Sequence, residues 1–223
     1  MRLSERFFRI AALVAFGASL AAAQSSVDVM VGFGEAFDKA NGTGIDNANS
    51  PTNAFGSCVP NSGDTYCQAT SSLNAFFLTI KGDIMLYKHF GVDAEGSFQP
   101  SHKTYGPLLA RETFYDFNGV YQPWSSKRAA FRIEGGIGGA RTSLSFNEGA
   151  CVGNITCTNS VEPVGSANHF AIHVGAGVQF FVTQHIFIQP QFDYRYVPGL
   201  TDEFNSNSVP SAMVAVGFAG GDR

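Results

Sequence analysis

The amino-acid sequence predicts an all-β fold: a closed, antiparallel, up-and-down barrel of about eight strands. Three observations predict it. Apolar and polar residues alternate with a period of two in eight segments, as they do along a strand whose two faces meet different surroundings. The connectors between these segments are alternately long and short. Charged residues make up only 14% of the 223 residues, well below the roughly 25% usual in soluble globular proteins, so the chain does not build a charged, water-facing shell.

The N-terminus carries an export signal. Arg2, Arg6 and Arg9 precede an apolar run over residues 10–23 that ends in three alanines, which is the pattern of a secretory signal peptide. The run is shorter than the roughly 20 residues that a membrane-spanning helix needs, and no later segment has 18 uninterrupted apolar residues. We therefore expect residues 1–23 to be a cleaved signal peptide, and residues 24–223 to form one mature barrel domain.

The eight strands follow in order. In the first, Val27, Val29 and Phe33 share one face, and Asp28 and Met30 share the other. Each segment is about ten residues long, the length a tilted strand needs to cross a bilayer. The apolar faces of the next seven segments begin and end at Phe76 and Leu86, Val92 and Phe98, Thr113 and Tyr121, Phe131 and Ile137, Phe170 and Phe180, Ile188 and Tyr196, and Ala212 and Phe218.

The connectors fall into two classes. Four are long and polar, and three are tight turns. In a barrel that crosses a membrane, long loops face the exterior and short turns face the periplasm, so the two classes are predicted to lie on opposite rims. The long connectors are 38–71, 100–110, 145–167 and 197–208, and the short ones are 88–91, 122–127 and 182–185.

Alternation alone does not decide whether the apolar face points outward to lipid or inward to a ligand, as in a soluble lipocalin-like barrel. Two further features favour a transmembrane β-barrel. The apolar faces are almost free of charge, and aromatic residues cluster near the strand ends, as interfacial girdles require. These aromatic residues are Tyr87, Phe90, Tyr121, Trp124, Phe181, Tyr194 and Tyr196.

The whole mature chain resembles the OmpA-like small outer-membrane β-barrel domains. The likeness rests on the alternation, the aromatic strand ends and the last strand, which ends in Phe218. It implies the bacterial outer membrane as location, after Sec-type export, with outer-membrane lipid and the barrel-assembly machinery as partners. Two features depart from the family pattern: residues 219–223 follow the terminal aromatic, and Pro190 lies within a strand, where we expect a bulge.

The opposite faces of the strands carry charged residues into a narrow lumen. An eight-stranded barrel leaves room only for side chains, so we predict a packed, ion-paired plug rather than an open channel. Lys81 and Arg132 are its expected chief cations. Carboxylates outnumber cations, so some would be protonated or bind a cation, and any leakage would favour cations. The predicted network consists of Lys81, Asp83, Glu95, Asp116, Arg132, Glu134, Asp193 and Arg195.

Four cysteines fall into two local pairs, Cys58 with Cys67 and Cys151 with Cys157. Disulfides are stable in exported proteins, and no C-x-x-C motif indicates zinc or redox chemistry. Three connectivities are possible. We expect the two local pairs to be disulfides within long connectors.

Signals for catalysis and cofactors are poor. On a strand, His169 and His173 lie about 13 Å apart, too far to chelate one ion. The glycine run 135–139 lacks the spacing of a phosphate loop, and no G-x-S-x-G motif occurs. The net charge of −4 gives no basic surface for nucleic acid. We therefore expect no enzymatic activity, bound metal, cofactor or nucleic-acid partner.

The sequence favours a structural or surface-interaction role, in which long extracellular loops meet a partner that the sequence does not identify. Two alternatives remain open. One is a narrow, porin-like channel for small solutes. The other is a soluble periplasmic β-barrel that binds a ligand.

Overall fold

The structure, a computed structural model, describes residues 26–38, 74–105, 108–152, 156–202, 204 and 206–221. The predicted signal peptide, Cys58 and Cys67 lie outside these residues. Within them the chain is almost entirely β-strand. None of the described residues belongs to a helix that is long and apolar enough to cross a membrane.

The described residues form nine strands, in which the residues that alternate in polarity also alternate in burial. A short 3-10 helix, Leu200–Asp202, lies between the last two. The strands are β1 Val27–Ala36, β2 Ala75–Tyr87, β3 Phe90–Phe98, β4 Lys103–Tyr105, β5 Leu108–Ser125, β6 Ala129–Val152, β7 Thr156–Phe181, β8 Ile186–Tyr196 and β9 Ser208–Gly220.

Eight of these strands close into a barrel. They are all the strands except β4, and each pairs antiparallel with its neighbours in chain order; β3 pairs with β5 because β4 is passed over. The pairing of β1 with β9 completes the circle. In the last of these pairings Val27 lies opposite Gly220. Among the described strands, the short β4 pairs only with β5, and it lies outside the circle. The predicted closed antiparallel barrel of eight strands is therefore confirmed.

The two faces of the wall are those that the period-two pattern predicts. Along β8, every second residue is buried, from Phe187 to Arg195, and the residues between them are exposed. On β1, Val29, Val31 and Phe33 are exposed on the outer surface, while Asp28 and Met30 are buried inside. The tight turns at residues 88–89, 126–128 and 182–185 all lie on one rim.

One predicted long connector is wrong. Residues 145–152 and 156–167 belong to strands and not to a loop, because β6 and β7 remain paired up to Val152 opposite Thr156. Backbone hydrogen bonds between neighbouring strands sustain this hairpin in a polar stretch that shows no clear apolar alternation. The connector 100–110 is also partly strand, since it contains β4 and the start of β5.

The bulge predicted at Pro190 is wrong as well. Pro190 lies opposite Val214 of β9 in an unbroken register. Toward β7, the pairs Gly177–Gln191 and Phe180–Ile188 belong to one register, but the two pairs between them are absent. The ladder is therefore interrupted without an inserted residue, which accommodates a residue that has no N–H to donate.

Candidate functional site in the barrel lumen

The middle of the lumen is filled by ionisable side chains, which we call the charged layer. They project inward from β1, β2, β3, β5, β6, β7 and β8, and each is at most 5% exposed. Buried charges require close partners, because removing them from water is costly. The members of the charged layer are Asp28, Lys81, Asp83, Asp93, Glu95, Asp116, Arg132, Glu134, His173, Asp193 and Arg195.

Lys81 of β2 lies among three carboxylates. Its Nζ donates a hydrogen bond to Glu134 on β6 and lies 3.4 Å from Asp93 Oδ2 and 3.7 Å from Glu95 Oε2, both on the neighbouring β3. The ammonium group therefore connects one side of the barrel to the other.

Arg132 of β6 lies at the end of the charged layer nearest the tight turns. Its Nη1 donates to Asp83 Oδ2 and its Nη2 to Asp28 Oδ2, each at 2.6 Å. Its Nε donates to Gln122 Oε1 at 3.2 Å. The planar guanidinium thus satisfies two carboxylates at once, which an ammonium group would do with less directional control.

Arg195 of β8 forms the third cationic centre, toward the end of the barrel away from the tight turns. Its Nη2 lies 2.6 Å from Glu95 Oε1 and its Nε lies 2.8 Å from Asp116 Oδ2. The guanidinium carbon also lies 5.1 Å from the centre of the Phe114 ring, within the range of a cation–π contact.

A chain of hydrogen bonds that the sequence did not indicate orients His173. Asn118 Nδ2 donates to Asp93 Oδ1 at 2.8 Å, so its Oδ1 faces His173 Nδ1 at 2.9 Å and accepts the Nδ1 proton. His173 Nε2 then lies 3.2 Å from Asp193 Oδ1. The imidazole is held between two polar groups and does not line an open path.

Glu134, His173 and Asp193 bring potential ligand atoms within 4.8 Å of one another. Nitrogen and carboxylate oxygen in this arrangement suit a transition metal. The amide of Gln191, however, already donates to Glu134 Oε1 at 2.9 Å and to Asp193 Oδ1 at 2.7 Å. The carboxylates are therefore bridged by a hydrogen-bond donor, and the cluster works as part of the network.

All eight residues of the predicted network are buried in the lumen, but their partners differ in part from those expected. Arg132 binds Asp28 in addition to Asp83, and it forms no ion pair with Glu95, Asp116 or Glu134. Arg195, which was not expected to be a chief cation, pairs with two carboxylates, as Lys81 pairs with three. The eight-residue set omitted Asp28, Asp93 and His173, although Asp93 and His173 lie on faces that the alternation predicts to point into the lumen, and Asp28 lies on the polar face of the first strand.

Gly175 of β7 faces the lumen at a point where two polar side chains approach the backbone closely. A Cβ on Gly175 of β7 would collide with the carboxylate of Asp193 and with the side chain of Glu134. The absence of a side chain at Gly175 therefore leaves the space in which these two long polar side chains meet.

An apolar layer closes the end of the lumen away from the tight turns. Leu200 and Phe204, from the β8–β9 connector, are buried in it although neither belongs to a strand. Between this layer and the charged layer lies a void of about 20 Å³, room for about one water molecule. The layer consists of Ala36, Ala75, Phe77, Ala110, Phe114, Ala140, Leu144, Ala171, Val197, Leu200, Phe204 and Val209.

Asp38 lies at the rim away from the tight turns, beyond the end of β1, and is only 3% exposed. Burial raises the pKa of this carboxyl above its ordinary value, and the contacts with Glu112 and Arg195 offset that rise only in part. An acid in this position holds its proton more tightly in the folded protein than in the unfolded chain.

The register places Cys151 directly opposite Cys157 near the tip of the β6–β7 hairpin. They therefore lie on paired strands and not in the loop that the sequence suggested. The disulfides Cys151–Cys157 and Cys58–Cys67 stay predictions, which peptide mapping under non-reducing conditions would test.

No curated protein sequence matches the chain. Among solved structures, Ail from Yersinia pestis has 12% identity and a TM-score of 0.49, covering 88% of this chain and 99% of its own. The Neisserial surface protein NspA has 13% identity and a TM-score of 0.48, covering 90% and 98%. The N-terminal β-barrel domain of Pseudomonas aeruginosa OprF has 12% identity and a TM-score of 0.47, covering 87% and 97%.

The outer membrane enzyme PagL also matches, with 14% identity and a TM-score of 0.41 over 85% of this chain and 97% of its own. The absence of enzymatic activity in our chain stays a prediction.

A family model described as "Outer membrane protein beta-barrel domain" matches residues 8–219, which is most of the chain. Membership accounts for the closed barrel, the uncharged outer belt and the polar interior, and it implies the bacterial outer membrane as location. The chain belongs to the family of outer-membrane protein β-barrel domains.

Proposed function

We propose that this protein acts at the cell surface through an extracellular β-structure, while its lumen is a sealed structural core. The main support for the proposal is that three barrel strands are much longer than the other five. Five barrel strands have 9 to 13 residues, whereas β5, β6 and β7 have 18, 24 and 26. The extensions, which we call the blade, comprise residues 103–105, 108–110, 143–152 and 156–166.

The blade extends well beyond the barrel rim. β5 reaches no farther from the barrel than its first residue, Leu108, which lies opposite Phe146. Beyond this pair, β6 and β7 continue as a two-stranded hairpin up to Val152. At about 3.3 Å per residue, the six residues beyond Phe146 add about 20 Å. A structure of this length is accessible to large partners at a distance from the membrane.

One edge of the blade is open. Pairing between β7 and β8 begins at Ile172, opposite Tyr196. Among the described strands, the earlier residues of β7, 156–171, therefore pair only with β6. Unpaired backbone groups are not tolerated in lipid hydrocarbon, which supports placing this edge in water, on the same rim as the long connectors. A free strand edge can bind an extended segment of another protein by β-strand addition.

The filled lumen favours this role over the channel. Its charged layer is ion-paired across the barrel, and the apolar layer closes one end. A porin-like conduit would need a continuous water-filled path. We expect planar bilayers that contain the folded protein to show no conductance above the empty bilayer.

Binding by cells tests the role of the blade. One variant replaces residues 147–161 with an Asn-Gly turn, which suits a two-residue hairpin. A second, Val161→Lys, places a charge on the exposed side chain of β7, and Val161→Thr is its matched control. Cells that display each protein would be applied to arrays of immobilised extracellular proteins and peptides.

We expect wild type and Val161→Thr to bind a common set of ligands, which the shortened blade loses and Val161→Lys binds less well. Heat-dependent gel mobility should show that all variants form the barrel. Equal binding by the shortened variant, no ligand for the wild type, or steady conductance of the wild type would each contradict the proposal.

A further inference from the structure

The end of the barrel away from the tight turns contains a small polar pocket, which does not depend on the blade. It consists of Asp38, just beyond β1, Glu112 of β5 and Thr142 of β6, and each of them is at most 4% exposed. We propose that these three side chains bind a calcium ion, which ties β1 to β5 and β6 across the mouth of the lumen. The proposal departs from the sequence-based expectation of no bound metal.

The closed barrel brings the three side chains together. Glu112 and Thr142 lie directly opposite each other in the β5–β6 ladder, and both are buried on the inward face, so their Cβ atoms are about 5 Å apart. The carboxyl group of Asp38 lies within hydrogen-bonding reach of the Glu112 carboxyl group. Because β1 is a neighbour of neither β5 nor β6 in the wall, this arrangement exists only after closure.

Oxygen atoms in the pocket lack protein partners. Neither carboxylate oxygen of Asp38 has a hydrogen-bond partner among the described residues, and the same holds for Oγ1 of Thr142. The nearby Gln99 accepts a hydrogen bond from the Glu112 backbone at 3.0 Å, but its Nε2 donates to neither carboxylate. Two carboxyl groups can share a hydrogen bond only if one of them is protonated. The pocket therefore requires either a proton or a cation.

The surroundings make this requirement strict. Along the inward faces of β5 and β6, the residues on either side of Glu112 and Thr142 belong to the apolar layer: Ala110, Phe114, Ala140 and Leu144. Unbalanced charge in such surroundings is costly. Arg195 attracts Asp38, but its guanidinium group already bonds to two carboxylates of the charged layer. A divalent cation would balance the charges of Asp38 and Glu112 together.

The ligand atoms indicate which cation. Two carboxylates and a hydroxyl group supply only oxygen, which calcium and magnesium prefer, whereas zinc and copper are bound more often through nitrogen or sulfur. Calcium accepts irregular arrangements of oxygen ligands and can complete its coordination with water, while magnesium requires a nearly ideal octahedron. Ligands that come from three separate segments of the chain fit the less demanding ion, and we therefore assign the pocket to calcium.

Calcium titration of the folded mature protein in a non-ionic detergent tests the proposal. Isothermal titration calorimetry would measure the binding of calcium and of magnesium to wild type, Asp38→Asn and Thr142→Val. Glu35→Gln is the matched control, because it removes a carboxylate that is exposed on the outer face of β1. Heat-dependent gel mobility would show that each variant is folded, and its urea titration in calcium and in EDTA would measure the calcium-dependent stability.

We expect wild type to bind one calcium ion with a Kd of about 10⁻⁴–10⁻³ M. For a Kd of about 1 mM, the equilibrium constant for unfolding should be about tenfold smaller in about 10 mM calcium than in EDTA. Asp38→Asn should bind calcium about tenfold more weakly and Thr142→Val about threefold more weakly, while Glu35→Gln should match wild type. Each variant is compared with itself in EDTA, where only a proton neutralises Asp38, so its intrinsic change in stability does not enter.

Three results would overturn the proposal. Equal calcium binding by folded Asp38→Asn and wild type would place the ion outside the pocket. No calcium binding by wild type would identify a shared proton as the occupant. Magnesium binding as tight as calcium binding would refute the assignment to calcium.

Discussion

The charged layer and the apolar layer close the same lumen by different means. The charged layer is built only from strand residues, and each of its three cations bonds to strands that are not its neighbours in the wall: Lys81 to β6, Arg132 to β1 and β2, and Arg195 to β3 and β5. The apolar layer instead recruits Leu200 and Phe204 from a connector. The comparison shows that the charged layer fixes strands relative to one another, while the apolar layer fills space.

The energetic demands of the two layers differ as well. A buried charge that loses its partner is costly, whereas an apolar side chain that loses a neighbour costs only the lost contact and the cavity that remains. Among the described residues of the charged layer, seven carboxylates face three permanent cations and His173. Each cation therefore serves more than one carboxylate, and removing one of them should have a larger effect than any truncation in the apolar layer.

The largest effect is expected for Lys81→Met. Methionine has a similar length but no charge, so Asp93, Glu95 and Glu134 lose the ammonium group that they share. The free energy of unfolding should fall by about 3–5 kcal/mol, measured by urea titration of heat-dependent gel mobility. Lys127→Met, in an exposed turn, is the control. A Lys81→Met barrel as stable as wild type would show that the charged layer does not hold the strands.

The second largest effect is expected on the outer face of β2, next to Lys81. Ile80, the residue before Lys81, is 56% exposed on the outer wall. Ile80→Arg should destabilise the barrel by about 2–4 kcal/mol, because the charge would enter lipid hydrocarbon. Folding yield and urea stability in lipid vesicles measure it, and Ile80→Val is the matched control. Tolerance of arginine at this position would place Ile80 outside the hydrocarbon core.

Leu200→Ala tests the apolar layer, and a smaller loss of about 2 kcal/mol is expected. This is the low end for leucine truncation, since a connector can relax around the space that is left. Urea stability gives the magnitude, and planar-bilayer conductance shows whether the mouth opens. Thr201→Ala, an exposed neighbour, is the control. A loss as large as that of Lys81→Met would remove the distinction between the two layers.

The smallest effect concerns Asp38 at the rim. Because burial raises the pKa of this carboxyl, the folded protein gains stability relative to the unfolded chain as pH falls through the folded pKa, and loses it as pH rises. Asp38→Asn should therefore be more stable than wild type at neutral pH, and the two proteins should converge on acidification. A urea series at several pH values measures the difference. A difference that is independent of pH would rule out titration of Asp38 as its cause.

The sequence determined the strands and their faces well, because period two is a local property. Val29 and Asp28 could be assigned to opposite faces without any knowledge of the partner strand. Ion-pair partners are not local: Arg132 and Asp28 are 104 residues apart. Which carboxylate meets which cation depends on the stagger of the strands around the barrel, and the sequence pattern does not contain that information.

The blade and the apolar layer were missed for a related reason. Residues 145–167 lack a clear apolar alternation, as strands do when neither face meets an apolar surface, so a paired hairpin resembles a polar loop in sequence. Leu200 and Phe204 belong to no periodic segment, and only the folded chain shows that they enter the barrel. A proline within a barrel strand predicts a bulge because it has no N–H to donate, and the sequence does not show that two missing ladder pairs serve instead.

The pairing of β1 with β9 has a consequence for biogenesis. Because Val27 meets Gly220, the first strand of the barrel finds one of its two neighbours only after the last strand has been made. Contacts between such distant parts of a chain form slowly. Until then, every partial sheet has two free edges and an uncovered apolar face, which makes it prone to aggregate. We therefore expect the nascent polypeptide to cross the periplasm before the barrel closes, and closure to accompany insertion at the membrane.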